Sequence, residues 1–131
     1  MGISVELVRK FTILELLNYV KRQRILTLMV QFVHPATEDI TLAGVLSALA
    51  DPMRLRIVSN LLQKNGCMSC SEAAPCPDIA KSTLSHHFRI LREAGLVRTS
   101  KIGVGHRNIL RTDDIETRFP GLLNRILEFV D

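Results

Sequence analysis

Residues 81–99 constrain this chain more than any other stretch. They read Lys81-Ser82-Thr83-Leu84-Ser85-His86-His87-Phe88-Arg89-Ile90-Leu91-Arg92-Glu93-Ala94-Gly95-Leu96-Val97-Arg98-Thr99. Leu84, Phe88 and Leu91 fall at i, i+4 and i+7, which draws one apolar stripe along a helix. Ser82 or its neighbour is placed to cap its start, because a hydroxyl can accept from a free backbone N–H of the first turn. Gly95 stands where a left-handed residue closes a helix, and Leu96-Val97 then opens a strand. Opposite the stripe lie Ser82, Thr83, Ser85, His86 and Arg89, gathered in the N-terminal half with Lys81 at its head. A helix entering a major groove presents its N-terminal residues to base edges and phosphates. Ser and Thr can bond either, and Arg can take guanine through two hydrogen bonds. An ordinary solvated helix face has much the same composition, so the chemistry alone leaves both readings open.

The rest of the chain supports a small, mainly helical domain with one hairpin. Thr41 to Leu49 reads as a short apolar helix, with Asp39 or Thr41 as its cap. Asp51-Pro52 is a strong helix start, an N-cap acid followed by proline at the first helical position. Met53, Leu55, Ile57, Val58, Leu61 and Leu62 carry its core face, and Asn65-Gly66 ends it. A short helix over Ser69–Ala74 is closed by Pro75 and Pro77, and Asp78-Ile79-Ala80 turns into the helix described above. Leu96–Ile102 and His106–Arg111 read as strands around the tip Gly103-Val104-Gly105, a glycine-bearing β-hairpin. The last helix starts at Thr112 as cap, with Asp113 and Asp114 favouring its positive end. Phe119, Leu122, Leu123, Ile126, Leu127 and Val130 then recur at helical spacing in a stripe too apolar for a solvated terminus.

Residues 1–40 read as an N-terminal helical extension and linker, and residues 41–131 as the domain. Val5, Val8, Phe11, Leu14 and Leu17 recur at helical spacing before the basic run Lys21-Arg22-Gln23-Arg24. His34 to Asp39 reads as the linker, since Pro35 disfavours helix at His34. Met29 is a second candidate start, which would make residues 1–28 a translated leader. Mass spectrometry of the native N-terminus decides between the two.

The net charge of +4 is unevenly placed. Lys81, Arg89, Arg92, Arg98, Lys101, Arg107 and Arg111 stand against Glu93 alone, so residues 81–111 carry +6 and the rest of the chain −2. A local basic block on a near-neutral body is the electrostatic footprint of a nucleic-acid face. Three cysteines make no disulfide framework, and nothing resembles a cleaved secretory signal. The longest uncharged stretch, Ile25 to Thr37, falls short of the ~20 residues that span a bilayer, at about two thirds of that length. The expectation is a cytoplasmic protein with reduced thiols and no membrane partner.

The run Ser82-Thr83-Leu84-Ser85-His86-His87-Phe88-Arg89-Ile90-Leu91-Arg92-Glu93-Ala94-Gly95-Leu96-Val97 resembles the recognition helix of the ArsR/SmtB-type winged-helix repressors. Those regulators carry a pattern like S-T-x-S-H-H-x-x-x-L-R-E-A-G-L-V. Leu49-Ala50-Asp51-Pro52-Met53-Arg54-Leu55-Arg56-Ile57-Val58 is similar to a second motif of the family, and the resemblance covers about Thr41 to Val130. It implies a winged helix-turn-helix fold, mainly α with a small β-hairpin, dimerising through its first and last helices. It also implies a cytoplasmic repressor on double-stranded operator DNA that is released by an effector. On that reading Lys81, Ser82, Thr83, Ser85, His86 and Arg89 meet DNA from the helix. Lys101, His106 and Arg107 meet phosphate or the minor groove from the wing. Leu42, Val45, Leu46, Phe119, Leu122, Leu123, Ile126 and Leu127 form the homodimer interface, and two recognition helices read a pseudo-palindrome.

The resemblance is far less specific about what is sensed. Cys67, Cys70 and Cys76 fall within ten residues. Three thiolates can form a trigonal soft-metal or metalloid site, or with a fourth ligand hold zinc. Cys67 and Cys70 could instead form a regulatory disulfide or provide a reactive thiol, or all three could be small apolar packing residues. The C-x-C box of metal-sensing relatives is absent, and so is their other common site, Asp and His in the last helix, since no His follows His106; no cofactor is certain, and a soft metal or metalloid ion at the cysteines stays a candidate. His86 and His87 point about 100° apart on a helix and cannot easily share a metal; His87 is expected to pack beside Phe88. Two other function classes stay in view. One is a protein-interaction module that uses the winged helix without DNA. The other is a thiol or metal enzyme, which lacks any nucleophile–base–acid set, so no catalysis is expected.

Overall fold

A computed structural model describes residues 12–18, 21, 32–64, 68–103 and 105–131. The chain divides into two compact units, Met1–Gln31 and Phe32–Asp131. In the first, residues 13–18 are helical. Thr12 and Glu15 cap that helix reciprocally: the Thr12 N–H donates to Glu15 Oε2 at 2.8 Å and the Glu15 N–H to Thr12 Oγ1 at 3.2 Å. The other apolar positions expected to be helical there lie outside the described residues.

In the second unit, a 3₁₀ turn over Thr37–Asp39 leads into α1 (Leu42–Leu49) and α2 (Pro52–Gln63). Next come α3 (Cys70–Ala73), α4 (Lys81–Glu93), β1 (Val97–Ile102), β2 (Gly105–Leu110), α5 (Thr112–Arg118) and α6 (Leu122–Leu127). The architecture is mainly helical with one antiparallel two-stranded hairpin, as the sequence leads one to expect. Asn65-Gly66 and the tip residue Val104 lie outside the described residues.

Helix α2 is the central post, packed by α1, α3, α4 and β2. Asp51 caps it, accepting from the N–H groups of Met53 at 2.8 Å and Arg54 at 3.2 Å, with Pro52 at the first position. Ile57, Val58 and Leu61 meet Phe88, Leu91, Leu96 and Val97 in one core with no side-chain surface left to water. Burying a side chain of the size of Phe88 contributes roughly 1.5–3 kcal/mol. Gly95 closes α4 in the left-handed region, φ 85°, with Ile40 packed so close that a methyl group there would meet its Cγ1 at 2.6 Å. Only glycine satisfies both the backbone angle and the space.

Three local expectations are corrected. Ser82 is not the cap of α4: the helix starts two residues earlier, with Ala80 in the cap position and no side-chain bond. Thr112 is the first residue of α5 rather than its cap, and that end is held instead by Arg111 pairing with Asp114. The final helix is two helices. Phe119 precedes Pro120 and leaves the helical region at φ −138°, and Gly121 turns left-handed at φ 77° before α6. The bond from Arg111, then that from Thr37, hold the Asp114 carboxyl below the usual carboxylate range.

Residues 34–40, expected to be a linker outside a domain starting at residue 41, are bonded into the second unit. His34 Nε2 accepts from the Thr99 N–H at 2.9 Å, and the Pro35 carbonyl accepts from Arg111 Nη1 at 2.8 Å. Thr37 Oγ1 donates to Asp114 Oδ1 at 2.8 Å, Arg118 donates twice to the Ile40 carbonyl, and Ile40 is 1% exposed. The compact unit therefore begins at Phe32.

Candidate nucleic-acid interface

Helix α4 separates its faces cleanly. Leu84, His87, Phe88 and Leu91 are buried, while Lys81, Ser82, Thr83, Ser85, His86 and Arg89 are exposed. The buried His87 is held in place by a network. Arg54 donates from Nε to the Ala48 carbonyl at 2.6 Å, and its Nη1 lies 3.3 Å from His87 Nδ1. A guanidinium has no acceptor, so Nδ1 is the bare nitrogen and the ring proton sits on Nε2. This network ties the start of α2 to the middle of α4 and fixes how α4 is rolled. On the open face Arg89 Nη2 lies 3.2 Å from His86 Nδ1, by the same logic a donor–acceptor pair. It leaves the Nε2–H of His86 free to donate outward. Ser82, Ser85, His86, Arg89 and Arg92 line one shallow groove along that face.

The hairpin supplies the second element. Its register pairs Val97 with Leu110, Thr99 with Asn108 and Lys101 with His106 on one face. Arg98–Ile109, Ser100–Arg107 and Ile102–Gly105 occupy the other. Lys101 and His106 thus share a face, and Arg107 stands on the opposite one beside Glu72 at 3.6 Å. The Ser69 backbone N–H and hydroxyl hold the Glu72 carboxyl below its ordinary range. Glu72 therefore stays ionised at neutral pH, and Arg107 has a surface counter-ion that DNA phosphate would have to displace.

The basic block is smaller at the surface than in the sequence. Arg111 is 5% exposed, paired with Asp114 at 2.8 Å and bonded to the Pro35 carbonyl. Its charge belongs to the packing of the domain. Arg92 is half-buried, with its guanidinium stacked 4.6 Å from the Phe32 ring centroid. That leaves Lys81, Arg89, Arg98, Lys101 and Arg107 exposed.

A family model described as a helix-turn-helix domain matches residues 49–100, which hold α2, α3, α4 and the start of β1. The HTH-type transcriptional regulator YceK of Bacillus subtilis is 37% identical over 90 residues, covering 69% of this chain and 90% of that protein. This chain belongs to the ArsR/SmtB family of helix-turn-helix transcriptional regulators. A transcriptional repressor SmtB homologue of Synechocystis is 42% identical over 62 residues, 47% of this chain and 46% of that one. The crystal structure of the transcriptional repressor BigR from Xylella fastidiosa superposes with a TM-score of 0.53 at 28% identity, covering 69% of this chain and 86% of that one. As an ArsR/SmtB member the chain is a DNA-binding transcriptional regulator and not an enzyme. Among the described residues no helix is long and apolar enough to cross a membrane.

Cys70 is half-buried at the start of α3, Cys76 is exposed beyond it, and Cys67 lies outside the described residues. No group of three metal-ligating side chains is assembled among the described residues. What the sequence does not reveal is Asn108, fully buried, whose Nδ2 donates to Cys70 Sγ at 3.3 Å and to the Met68 carbonyl at 3.2 Å.

Two positions expected at a dimer interface are already consumed by the monomer. Val45 is 0% and Leu123 3% exposed, both within the core. Leu42 and Leu46, at 45% and 44%, keep half their surface free. Phe119, Leu122, Ile126 and Leu127 are partly buried against the core.

Proposed function

We propose that this regulator is a homodimeric repressor that occupies a pseudo-palindromic operator in double-stranded DNA and leaves it when an effector acts. The observation that carries the reading is the division of α4. Ser82, Ser85, His86 and Arg89 face solvent together, while the roll of the helix is locked by Phe88 and the Arg54–His87 contact. Lys81 and Thr83 flank that face. These are the side-chain types that bond base edges and phosphates, and a locked roll presents them without an ordering cost at binding. Lys101 and His106 from one face of the wing, and Arg107 from the other, supply backbone contacts. The repressor reading also draws support from the SmtB homologue and BigR, which are both described as repressors.

Helix α1 offers Leu42 and Leu46 to a second copy, joined by the outward parts of Phe119, Leu122, Ile126 and Leu127. Two α4 helices related by a twofold axis would then sit about 34–36 Å apart, one DNA turn. The regulator works where DNA and reduced thiols are found together, in the cytoplasm. For the effector, Cys70 is the thiol with a route to the DNA face: Asn108 bonds both Cys70 and Thr99, the inward residue just before Lys101 on the wing. A soft metal or an oxidant at Cys70 would take the sulfur lone pairs that Asn108 now uses.

The test is fluorescence anisotropy on the intergenic duplex upstream of the protein's own gene. It compares reduced protein, oxidised protein, and protein with zinc or arsenite, each repeated with Cys67, Cys70 and Cys76 changed to Ser. Tight binding with a steep salt dependence, released by one treatment only when Cys70 is intact, is expected. Absence of binding at low salt would sink the operator reading, and release that ignores the cysteines would remove the thiol effector.

A further inference from the structure

The outer half of the wing has little to hold it. The inward-facing side chains of the hairpin are buried as far as Thr99 and Asn108, and from Ser100 to Arg107 every described residue is exposed. A two-stranded hairpin is marginal on its own, so the angle of this part is set by whatever grips it. The exposed Arg107–Glu72 pair at 3.6 Å is one contact, but an exposed ion pair is weak and screened by salt. Among the described residues the other contact is Phe32. Its ring meets that of His106 edge-on, with centroids 5.1 Å apart and planes at 85°. The Arg92 guanidinium lies over the same ring at 4.6 Å. Edge-to-face aromatic packing and a cation over an aromatic face are both favourable arrangements. One side chain thus touches the last turn of α4 and the outer half of the wing.

The placement of Phe32 is itself secured. Two residues on, His34 accepts from the Thr99 N–H on the free edge of β1, and Pro35 is bonded by the buried Arg111. The opposite edge of the hairpin is held by Met68, which exchanges both backbone hydrogen bonds with Asn108 at 2.8 and 3.2 Å. Phe32 and His34 lie outside the residues matched by the helix-turn-helix model, 49–100.

We propose that Phe32 is a positioning residue for DNA binding: by bridging Arg92 and His106 it sets the angle of the wing on the recognition helix, so that Lys101 meets the DNA backbone in register with α4. The proposal rests on the reading that the wing touches DNA. The experiment uses the full chain and a labelled duplex from the region upstream of its gene, titrated by anisotropy over a series of salt concentrations. The proteins are the unsubstituted chain, Phe32→Ala, Phe32→Tyr, Lys101→Ala and the Phe32→Ala/Lys101→Ala pair. Phe32→Ala is expected to weaken binding about tenfold and to flatten the slope of log affinity against log salt by about 1, as a wing cation leaves its phosphate. Phe32→Tyr keeps the ring and should bind as the unsubstituted chain does. Lys101→Ala should weaken binding several-fold alone yet cost less than about twofold in the Phe32→Ala background, because a displaced wing has no contact left to lose. A purely structural role would lower stability without making the two substitutions interdependent. Full affinity and slope for Phe32→Ala would overturn the proposal. So would tighter binding, which would make Phe32 an obstruction, or strictly additive losses. If Phe32→Ala does not fold, Phe32→Leu, which keeps apolar bulk without an aromatic face, carries the same comparison. Failure of the unsubstituted chain to bind the duplex at low salt would overturn the DNA reading first, and this inference with it.

Discussion

Thr99 and Asn108 face each other across the hairpin, and the Thr99 hydroxyl donates to Asn108 Oδ1 at 2.7 Å with both residues buried. Asn108 also donates to the Met68 carbonyl and to Cys70 Sγ. Its side chain therefore joins the two strands to the entry of α3, and among the described residues no buried side-chain nitrogen or oxygen is left without a partner. Replacing Asn108 with Ala strands the Thr99 hydroxyl away from water and leaves a cavity. A loss of about 2–4 kcal/mol is expected, read as a lower midpoint in urea unfolding at unchanged slope. A loss under about 0.5 kcal/mol would mean the patch is hydrated and the network is not what ties the wing to α3.

Arg89 tests the recognition face without touching the core. Its side chain is exposed and its neighbour in the structure is His86. Arg89→Ala should leave the unfolding midpoint within about 0.5 kcal/mol. It should weaken operator binding by about 1–3 kcal/mol, if the guanidinium takes a base edge. Comparison with a scrambled duplex separates the two possible roles. A loss restricted to the operator marks base readout, an equal loss on both marks a phosphate contact, and no loss on either removes Arg89 from the interface.

How much of this was legible beforehand depends on whether a feature has a period. The stripe Leu84–Phe88–Leu91 with Gly95 behind it, the Asp51-Pro52 start and the glycine-tipped hairpin all come from local backbone rules, and each is found where the sequence places it. Val45 and Leu123 show the limit of periodicity. An apolar stripe says that a face is buried, but not whether the partner is the chain's own core or a second copy. Arg111 shows the limit of charge counting, since it looks like one more surface cation until Asp114 and the Pro35 carbonyl are brought to it by contacts between distant residues. The segment 32–40 has no period at all, because it is fixed by a histidine ring, backbone carbonyls and one buried isoleucine. The break at Phe119-Pro120-Gly121 was written plainly in proline and glycine, and the apolar run through it masked the signal.

His34 makes the stability of the domain depend on pH. It must be neutral to accept the Thr99 N–H, and burial first, then the charges of Arg98, Arg111 and Arg92, lower its pKa below the ordinary 6.5. A base whose folded pKa is depressed binds protons less readily folded than unfolded, so stability rises with pH between the two values. The contribution is complete above about 6.5 and is lost as pH falls through the lower folded value. Urea midpoints measured from pH 7.5 downward should fall more steeply for the unsubstituted chain than for His34→Gln. The glutamine carbonyl can take the same N–H and does not titrate. Parallel curves for the two proteins would show that His34 is not the group responsible.

Leu46 decides where the second copy sits. It lies one residue from Val45 on α1, but Val45 is sealed in the core and Leu46 keeps 44% of its surface. If that surface is covered by the partner, burial of two such leucines contributes roughly 25 cal/mol for each Å² removed from water, and a carboxylate there would be held against an apolar face. Leu46→Glu should therefore turn a dimer into a folded monomer in sedimentation equilibrium, with its helical circular dichroism retained. Operator affinity should fall with it, because one recognition helix alone engages only half of a palindrome. A Leu46→Glu protein that remains dimeric would move the interface off α1 and onto the α5–α6 surface around Phe119 and Leu122. In that case Phe119→Glu becomes the substitution that separates the copies.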